Sequence, residues 1–360
     1  MTHPAASGVL AEAGPVRSED AFDVGAVHDW LCGALEEPPS GPPAVRQFSS
    51  GASNLTYLLR YPDRELVLRR PPMGHRAASA HDMRREFRVQ QALRPVYPYV
   101  PRVLALCDDP AVIGTDFYVM ERVPGTILGR RLPAGFPSDP RFLRLLATSV
   151  LDRLAELHAI DPVSAGLTGL GKGAGYVGRQ VDGWARRYRA ARTPRSPTLE
   201  YVMRWLDERQ PADVATRVIH NDYRFDNVVL DPADPLTVRG VLDWEMATLG
   251  DPLMDLGSAL AYWVEADDDK VFASSAKQPT YLPGMPTRRE IVERHTAALG
   301  LAPVDWTFYE VFGLFRLAVI VQQIYLRYHR GETTNPAFQR YWARVAYLGH
   351  RCQRIARKAG

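Results

Sequence analysis

The stretch from Val218 to Asp243, VIHNDYRFDNVVLDPADPLTVRGVLD, constrains this chain more than any other. An apolar pair, Val218 and Ile219, leads into His220-Asn221-Asp222, and four residues intervene before Asn227. A short strand-like run and a turn follow, and a second apolar pair, Val241 and Leu242, delivers Asp243. Two short strands thus carry an Asp, an Asn and a second Asp at their edges. Phosphoryl transfer from ATP uses such a set. One carboxylate orients and deprotonates the attacking hydroxyl, while an amide and another carboxylate hold Mg²⁺ on the phosphates.

A length of 360 residues is long for one domain and ordinary for two lobes. Hydrophobic residues make up 46% and charged residues 24%, the balance of a soluble globular protein. The 44 basic and 41 acidic residues leave a net charge of +3, too even to argue for a nucleic acid or an anionic membrane as partner. No obligate protein partner is evident either. The three cysteines, Cys32, Cys107 and Cys352, are far apart and lack metal-ligand spacing, so a reduced, cytoplasmic protein is expected. The N-terminus lacks the basic start and apolar core of a signal peptide, and no uninterrupted apolar run approaches membrane length.

Residues 1–20 read as a flexible tail. A helix is expected over Ala26–Leu35. Val45–Tyr61 reads as strand, small-residue turn and strand, with Ser49-Ser50-Gly51-Ala52-Ser53-Asn54 as the turn. Free backbone N–H groups in such a turn can close over phosphate oxygens, and the same residues also suit a plain hairpin. A third strand, Glu65–Arg69, ends in two arginines. His81–Leu93 reads as a helix carrying Glu86, either a surface acid or a partner for Arg69. Phe117–Val123 is a strand whose backbone, past Met120, Glu121 and Val123, could read an adenine edge. From Pro140 the pattern turns helical, with helices expected at Phe142–Ile160, Gln180–Arg192, Thr198–Glu208, Arg288–Leu299, Trp306–Tyr328 and Pro336–Lys358. Gly166–Gly178 reads as a loop and Glu265–Met285 as a polar loop or lid. Asp251-Pro252 signals a helix N-terminus, and Asp255 in that helix's first turn needs hydrogen-bond donors if buried. Arg316 and Gln322-Gln323 interrupt an apolar helix; they either face a cleft or are satisfied internally. His158 reads as a core or capping histidine.

The order of these signals is more specific than any one of them. Turn between strands, basic residue on the third strand, acid on the next helix, extended strand, His-x-Asp-x-x-x-x-Asn, then strand-Asp is the order of parts in a kinase-like enzyme. On VIHNDYRFDNVVLD and GVLDWEMATLGDPLMDLG the chain resembles the aminoglycoside phosphotransferase and choline kinase family of the protein-kinase-like superfamily. FSSGASNLTYLL and LVLRRPP resemble, more narrowly, the kinase domain fused to certain acyl-CoA dehydrogenases.

The resemblance implies an α+β, bilobal protein-kinase-like fold. Residues 21–122 would form an N-lobe of antiparallel sheet plus helix, and residues 123–360 a mainly helical C-lobe. It implies ATP and Mg²⁺ as cofactors and a small-molecule hydroxyl as acceptor, with hydroxyacyl-CoA thioesters as a substrate class. By the same resemblance Asp222 is the catalytic base, Asn227 and Asp243 hold the metal, and His220 braces the loop. Arg69 stands in for the usual phosphate-pairing lysine with Glu86 as its partner. Ser50, Gly51, Ser53 and Asn54 cover the phosphates, Glu121 and Val123 contact adenine, and Met120 backs the pocket. Arg224 either neutralises the transferring phosphoryl charge or is a surface residue.

Two other readings compete. An aminoglycoside-modifying kinase needs an acidic acceptor site, for which Glu265, Asp267, Asp268 and Asp269 are available. Arg130, Arg131, Arg179, Arg186 and Arg187 suggest anionic groups instead. A pseudokinase is suggested by the replaced lysine. A protein kinase is disfavoured, because Trp-Glu rather than Phe-Gly follows Asp243.

Overall fold

The computed structural model describes residues 13–48, 54–72 and 82–359. The chain packs as two compact units. One comprises the described residues up to Pro137, with Val163–Leu167 and Phe225–Ala247; the other comprises Ser138–Pro162, Thr168–Arg224 and the residues from Thr248 onward. The fold is α+β and protein-kinase-like.

The first unit is built on a six-stranded antiparallel sheet. Its strands are β1 (Ala13–Gly14), β2 (Ala44–Phe48), β3 (Leu55–Arg60), β4 (Glu65–Arg70), β5 (Val103–Cys107) and β6 (Phe117–Glu121), ordered β1-β2-β3-β4-β6-β5. Period-two alternation sorts their side chains. Tyr57, Leu59, Leu66, Leu68, Phe117 and Val119 face helix α1 (Val24–Ala34), which buries Val27 and Leu31 against them. Val67, Tyr118 and Met120 take the opposite face with Met83 of helix α2 (Met83–Leu93). Asp23 and Asp82 cap the two helices through Ala26 N–H and Arg85 N–H.

The same alternation separates the adjacent arginines of β4. Arg70 is buried on the α1 side, where it donates to the Asp20 carbonyl (2.7 Å) and the Tyr57 hydroxyl (3.0 Å) and lies over the Phe22 and Tyr57 rings. Gln47 adds bonds to Asp20 and Arg17. Residues 13–20 are therefore tied to the sheet rather than forming a tail; residues 1–12 lie outside the described residues. Arg69 points the other way, toward α2.

A smaller antiparallel sheet completes this unit, with Val228–Leu230 between Val238–Val241 and Thr126–Ile127. It joins the ends of the opening stretch. Leu242 N–H donates to the Asn227 carbonyl at 2.8 Å, so Asn227 and Asp243 stand at adjoining strand ends.

The second unit is mainly helical. Helix Thr307–His329 is buried on nearly all sides and forms its axis. Among the described residues it is the one helix long and apolar enough to cross a bilayer, and 72% of its apolar window is buried inside the fold. It meets helix Pro252–Leu260 through glycines. A Cβ at Gly313 would stand 2.1 Å from the Gly257 carbonyl oxygen, and one at Gly257 would stand 2.6 Å from that of Tyr309.

Two expected elements differ. The loop expected over residues 166–178 already contains the start of helix Tyr176–Ala190, because Asp213 accepts the N–H groups of Gly175, Tyr176 and Val177 and caps that helix from a distant position. The helix expected from Pro336 is a separate short turn, Pro336–Phe338, closed by Asn335 on Ala337 N–H; the long helix is Tyr341–Lys358.

Gly313→Ala tests the helix contact. Alanine has the higher helix propensity, by about 1 kcal/mol, but overpacking against backbone typically costs roughly 1–3 kcal/mol. A net loss of stability is expected in urea denaturation. A variant as stable as wild type would show that the two helices part without cost.

Candidate active site

In the first unit, charge gathers around Arg69. Its Nη2 lies 3.0 Å from Asp243 Oδ1, 3.3 Å from Glu86 Oε1 and 3.7 Å from Glu245 Oε2. Burial works against this guanidinium's charge, yet the carboxylates of Glu86, Asp243 and Glu245 hold its pKa well above the ordinary value. Glu86 is 2% exposed, and burial raises its carboxyl pKa although Arg69 opposes the shift. The Tyr118 hydroxyl donates to Glu86 at 2.9 Å and receives Gln90 Nε2 at 2.9 Å. Asn54 Nδ2 donates to Glu245 at 2.8 Å. The Arg85 guanidinium donates to the Glu245 and Ala247 carbonyls and holds the segment after Asp243.

Two buried atoms here are unsatisfied. Arg69 Nε and Glu86 Oε2 have no hydrogen-bond partner among the described residues. A buried guanidinium N–H without an acceptor suits an incoming phosphate oxygen. One guanidinium also stands within ion-pair range of three carboxylates, an excess of negative charge that suits a cation. The Asn227 amide and the Asp243 and Glu245 carboxylates are the hard oxygen donors that Mg²⁺ takes. Among the described residues no three His, Cys, Asp or Glu side chains form a ready cage.

The second unit holds the loop that carries Asp222. Asp255, fully buried, accepts His220 N–H at 2.7 Å and Asn221 N–H at 2.8 Å. Its Oδ2 also faces His158 Nε2 at 3.0 Å, and His158 Nδ1 meets His295 Nε2 at 2.9 Å. A carboxylate only accepts, so His158 Nε2 donates. Burial would raise the Asp255 pKa, but His158, and after it His220, hold it below the ordinary carboxylate value. His220 Nδ1 accepts Asp222 N–H at 3.2 Å. Asn221, at φ 66°, is held further by Arg316 Nη2 on its carbonyl (2.8 Å) and by the Tyr176 hydroxyl on its side chain (3.2 Å). Asp222 itself pairs with Arg224 at 3.2 Å, and Arg224 lies over the Tyr262 ring at 4.9 Å.

The expected site residues divide between these halves. Arg69, Glu86, Asn54, Asn227 and Asp243 belong to the first unit, and His220, Asp222, Arg224 and Asp255 to the second. Ser50, Gly51 and Ser53 lie outside the described residues. Met120 is core under α2, opposite Val67 on β4. The Glu121 side chain pairs with Arg102, and Val123, just past β6, packs on Gly240. Arg316 and Gln322 are satisfied internally, Gln322 donating to the Ala191 carbonyl.

Sequence reasoning passed over Glu245, Arg85 and Tyr118. The acid of Trp-Glu after Asp243 was the visible signal for Glu245. Nothing in the sequence marked Arg85 apart from its neighbours. The acidic run at residues 265–269 is not an open acidic surface. Glu265 pairs with Arg288 (2.8 Å), Asp268 pairs with Arg288 and Arg351 (both 2.7 Å), and Asp269 caps helix Lys270–Ala273.

Residues 44–291 match the model of the phosphotransferase enzyme family APH, and the chain belongs to that family. The class is that of small-molecule phosphotransferases. Acyl-CoA dehydrogenase family member 10 of Mus musculus is 37% identical over 327 residues, covering 90% of this chain and 30% of that protein. The chain thus spans about a third of that relative's length. A Ralstonia eutropha protein solved as a candidate aminoglycoside phosphotransferase is 30% identical, with a TM-score of 0.78 over 94% of this chain and 99% of that one. A thermostable mutant of aminoglycoside phosphotransferase APH(4)-Ia, solved with AMP-PNP and hygromycin B, shares the fold at 16% identity and a TM-score of 0.55, over 93% of this chain and 99% of that one.

His295 sets an acid limit on the second unit. Burial, reinforced by His158, pushes its pKa down to about 3 from an ordinary 6.5. The unfolded chain therefore binds a proton that the folded chain refuses between those values. Stability from this group is full above pH 6.5 and is lost as pH falls toward 3, by at most about 1.4 kcal/mol per pH unit. Urea midpoints should fall from pH 7 to pH 5 in wild type, and fall less in His295→Gln. Equal falls in both would remove His295 as the cause.

Proposed function

We propose that this chain transfers the γ-phosphoryl group of ATP to the hydroxyl of a small molecule, a hydroxyacyl thioester of coenzyme A. The observation that carries the reaction is the group around Arg69: three carboxylates, one guanidinium and an unsatisfied buried Nε. The carboxylates offset the burial of Arg69 but leave excess negative charge and an unmet donor, both of which a nucleotide triphosphate with a divalent cation would satisfy. Bound Mg²⁺ would offset charge on the phosphates, held by Asn227 and Asp243 with Glu245 adjoining. Arg69 Nε would donate to a phosphate oxygen, and Asn54 would close on the same side. Asp222 would align the acceptor hydroxyl and take its proton, while Arg224 would face the transferring group. Most of the rate would come from positioning and electrostatics.

Partner accounting favours the anionic acceptor over a polycationic drug. The acids that an aminoglycoside would need at residues 265–269 are largely consumed by Arg288 and Arg351. Against the pseudokinase reading, Arg69 occupies a lysine's place with a charge that burial does not remove. Similarity to part of a long acyl-CoA dehydrogenase family member supports acyl-CoA chemistry for the acceptor.

The test is ATP consumption by purified protein across hydroxyacyl-CoAs, amino alcohols, sugars and aminoglycosides. Turnover is expected with a hydroxyacyl-CoA; turnover with aminoglycosides alone would overturn the acceptor class. Asp222→Ala should retain nucleotide binding and lose at least about 100-fold in kcat. Asp243→Ala should weaken Mg²⁺-dependent nucleotide binding. Near-normal turnover in the first variant, or unchanged metal dependence in the second, would contradict the assigned roles.

A further inference from the structure

Two arginines hold the loop that carries Asp222, and each lies on an aromatic ring. Arg316 donates to the Asn221 carbonyl at 2.8 Å and lies over the Trp184 ring at 5.1 Å. Arg224 pairs with Asp222 at 3.2 Å and lies over the Tyr262 ring at 4.9 Å. The two differ in where they are rooted. Arg316 is 3% exposed and projects from the buried helix Thr307–His329. Arg224 belongs to the loop itself, two residues past Asp222, and its side chain is 19% exposed. A long arginine side chain in such a place has rotamer freedom to lose, and a ring beneath it narrows the choice.

Stacking and pairing are compatible on one guanidinium. Its flat face meets the ring, while the N–H groups at its edge stay in plane for a carboxylate oxygen. The Tyr262 phenol is neutral at neutral pH, because burial, and then the charge of Asp222, raise its pKa above the ordinary value. The ring face is therefore what Arg224 meets. Tyr262 is itself fixed. It follows helix Pro252–Leu260, its N–H donates to the Ala259 carbonyl at 3.2 Å, its carbonyl accepts from Gln278 Nε2 at 3.5 Å, and its ring packs on the core of the unit. The first turn of that same helix carries Asp255, which accepts the N–H groups of His220 and Asn221. One helix thus meets the loop twice: at the backbone before Asp222 through Asp255, and at the side chain after it through Tyr262.

We propose that Tyr262 is a positioning residue for phosphoryl transfer, its ring keeping the Arg224 guanidinium in place when the Asp222 carboxylate turns from Arg224 to the acceptor hydroxyl. An attachment to the ring does not depend on the carboxylate, so it survives that exchange. The guanidinium then stays where charge develops on the transferring group instead of competing with the hydroxyl for Asp222. Tyr262 acts through Arg224 and not on the substrate. The assignment rests on the kinase reading above but not on the particular acceptor.

The test compares Tyr262→Phe and Tyr262→Leu, each alone and combined with Arg224→Gln, and Arg224→Gln by itself. The readout is ADP formation from Mg²⁺·ATP, with a hydroxyacyl-CoA as acceptor and with water alone. Phenylalanine keeps the ring face, so kcat should stay within about twofold of wild type. Leucine keeps apolar bulk without the ring, and kcat should fall about tenfold, as for loss of a partly desolvated cation–π contact, with KM for ATP unchanged. In the Arg224→Gln background the leucine substitution should cause no further fall. Damage to the fold would persist without Arg224, so the combined variants separate it from positioning. A leucine variant at wild-type kcat, a phenylalanine variant as slow as leucine, or a leucine effect of the same size with and without Arg224 would each overturn the proposal. A wild type that forms no ADP with either acceptor would overturn the kinase reading and this proposal with it, so the two failures are distinct.

Discussion

The arrangement of the second unit depends on one buried carboxylate. Asp255 is cut off from water and would be costly there without donors. It has three, the N–H groups of His220 and Asn221 and the imidazole of His158. Each bond is charge-assisted, and together they offset the desolvation that raising the pKa would otherwise relieve. The consequence is mechanical. With two consecutive amides fixed on one carboxylate, Asn221 can be held at φ 66°, a region that non-glycine residues seldom occupy. Arg316 and Tyr176 complete the clamp. The chain then leaves Asn221 in one direction only, and Asp222 follows with its own N–H on His220.

The first unit repeats the device with opposite polarity. Its central buried group is a cation, Arg69, and its left-handed residue is Asp243 at φ 68°. A planar guanidinium suits this place better than an ammonium would. One terminal nitrogen meets both Asp243 and Glu86, which leaves Nε aimed elsewhere. A guanidinium at this place therefore divides its donors between the carboxylates and a free Nε. Its charge remains, since arginine stays ionised even where burial opposes it.

Much of this was readable in the sequence, for physical reasons. Period-two alternation separates Arg69 from Arg70, and an acid in the first turn of an apolar helix has to find donors. The spacing from His220 to Asn227 and the apolar pair before Asp243 locate both strand ends. Long-range partners were not readable. Asp213 starts a helix nearly forty positions earlier in the chain, and His295 reaches Asp255 only through His158. Nor does any local pattern tie residues 13–20 to the sheet; that takes Arg70, fifty residues away from Asp20. Such bonds depend on which elements become neighbours, and a single sequence carries that information only diffusely.

The same limit explains why charge counted along the chain misleads about the acceptor. Residues 265–269 carry four acids and look like a surface for a cation, yet three of them close on Arg288 and Arg351, which stack over Phe272. The basic helix Tyr176–Ala190 looks like a surface for an anion, yet Arg179 and Arg189 are engaged with carbonyls and with Glu200. What a site can recognise is set by the charges that remain after internal pairing, because only those still gain from a partner.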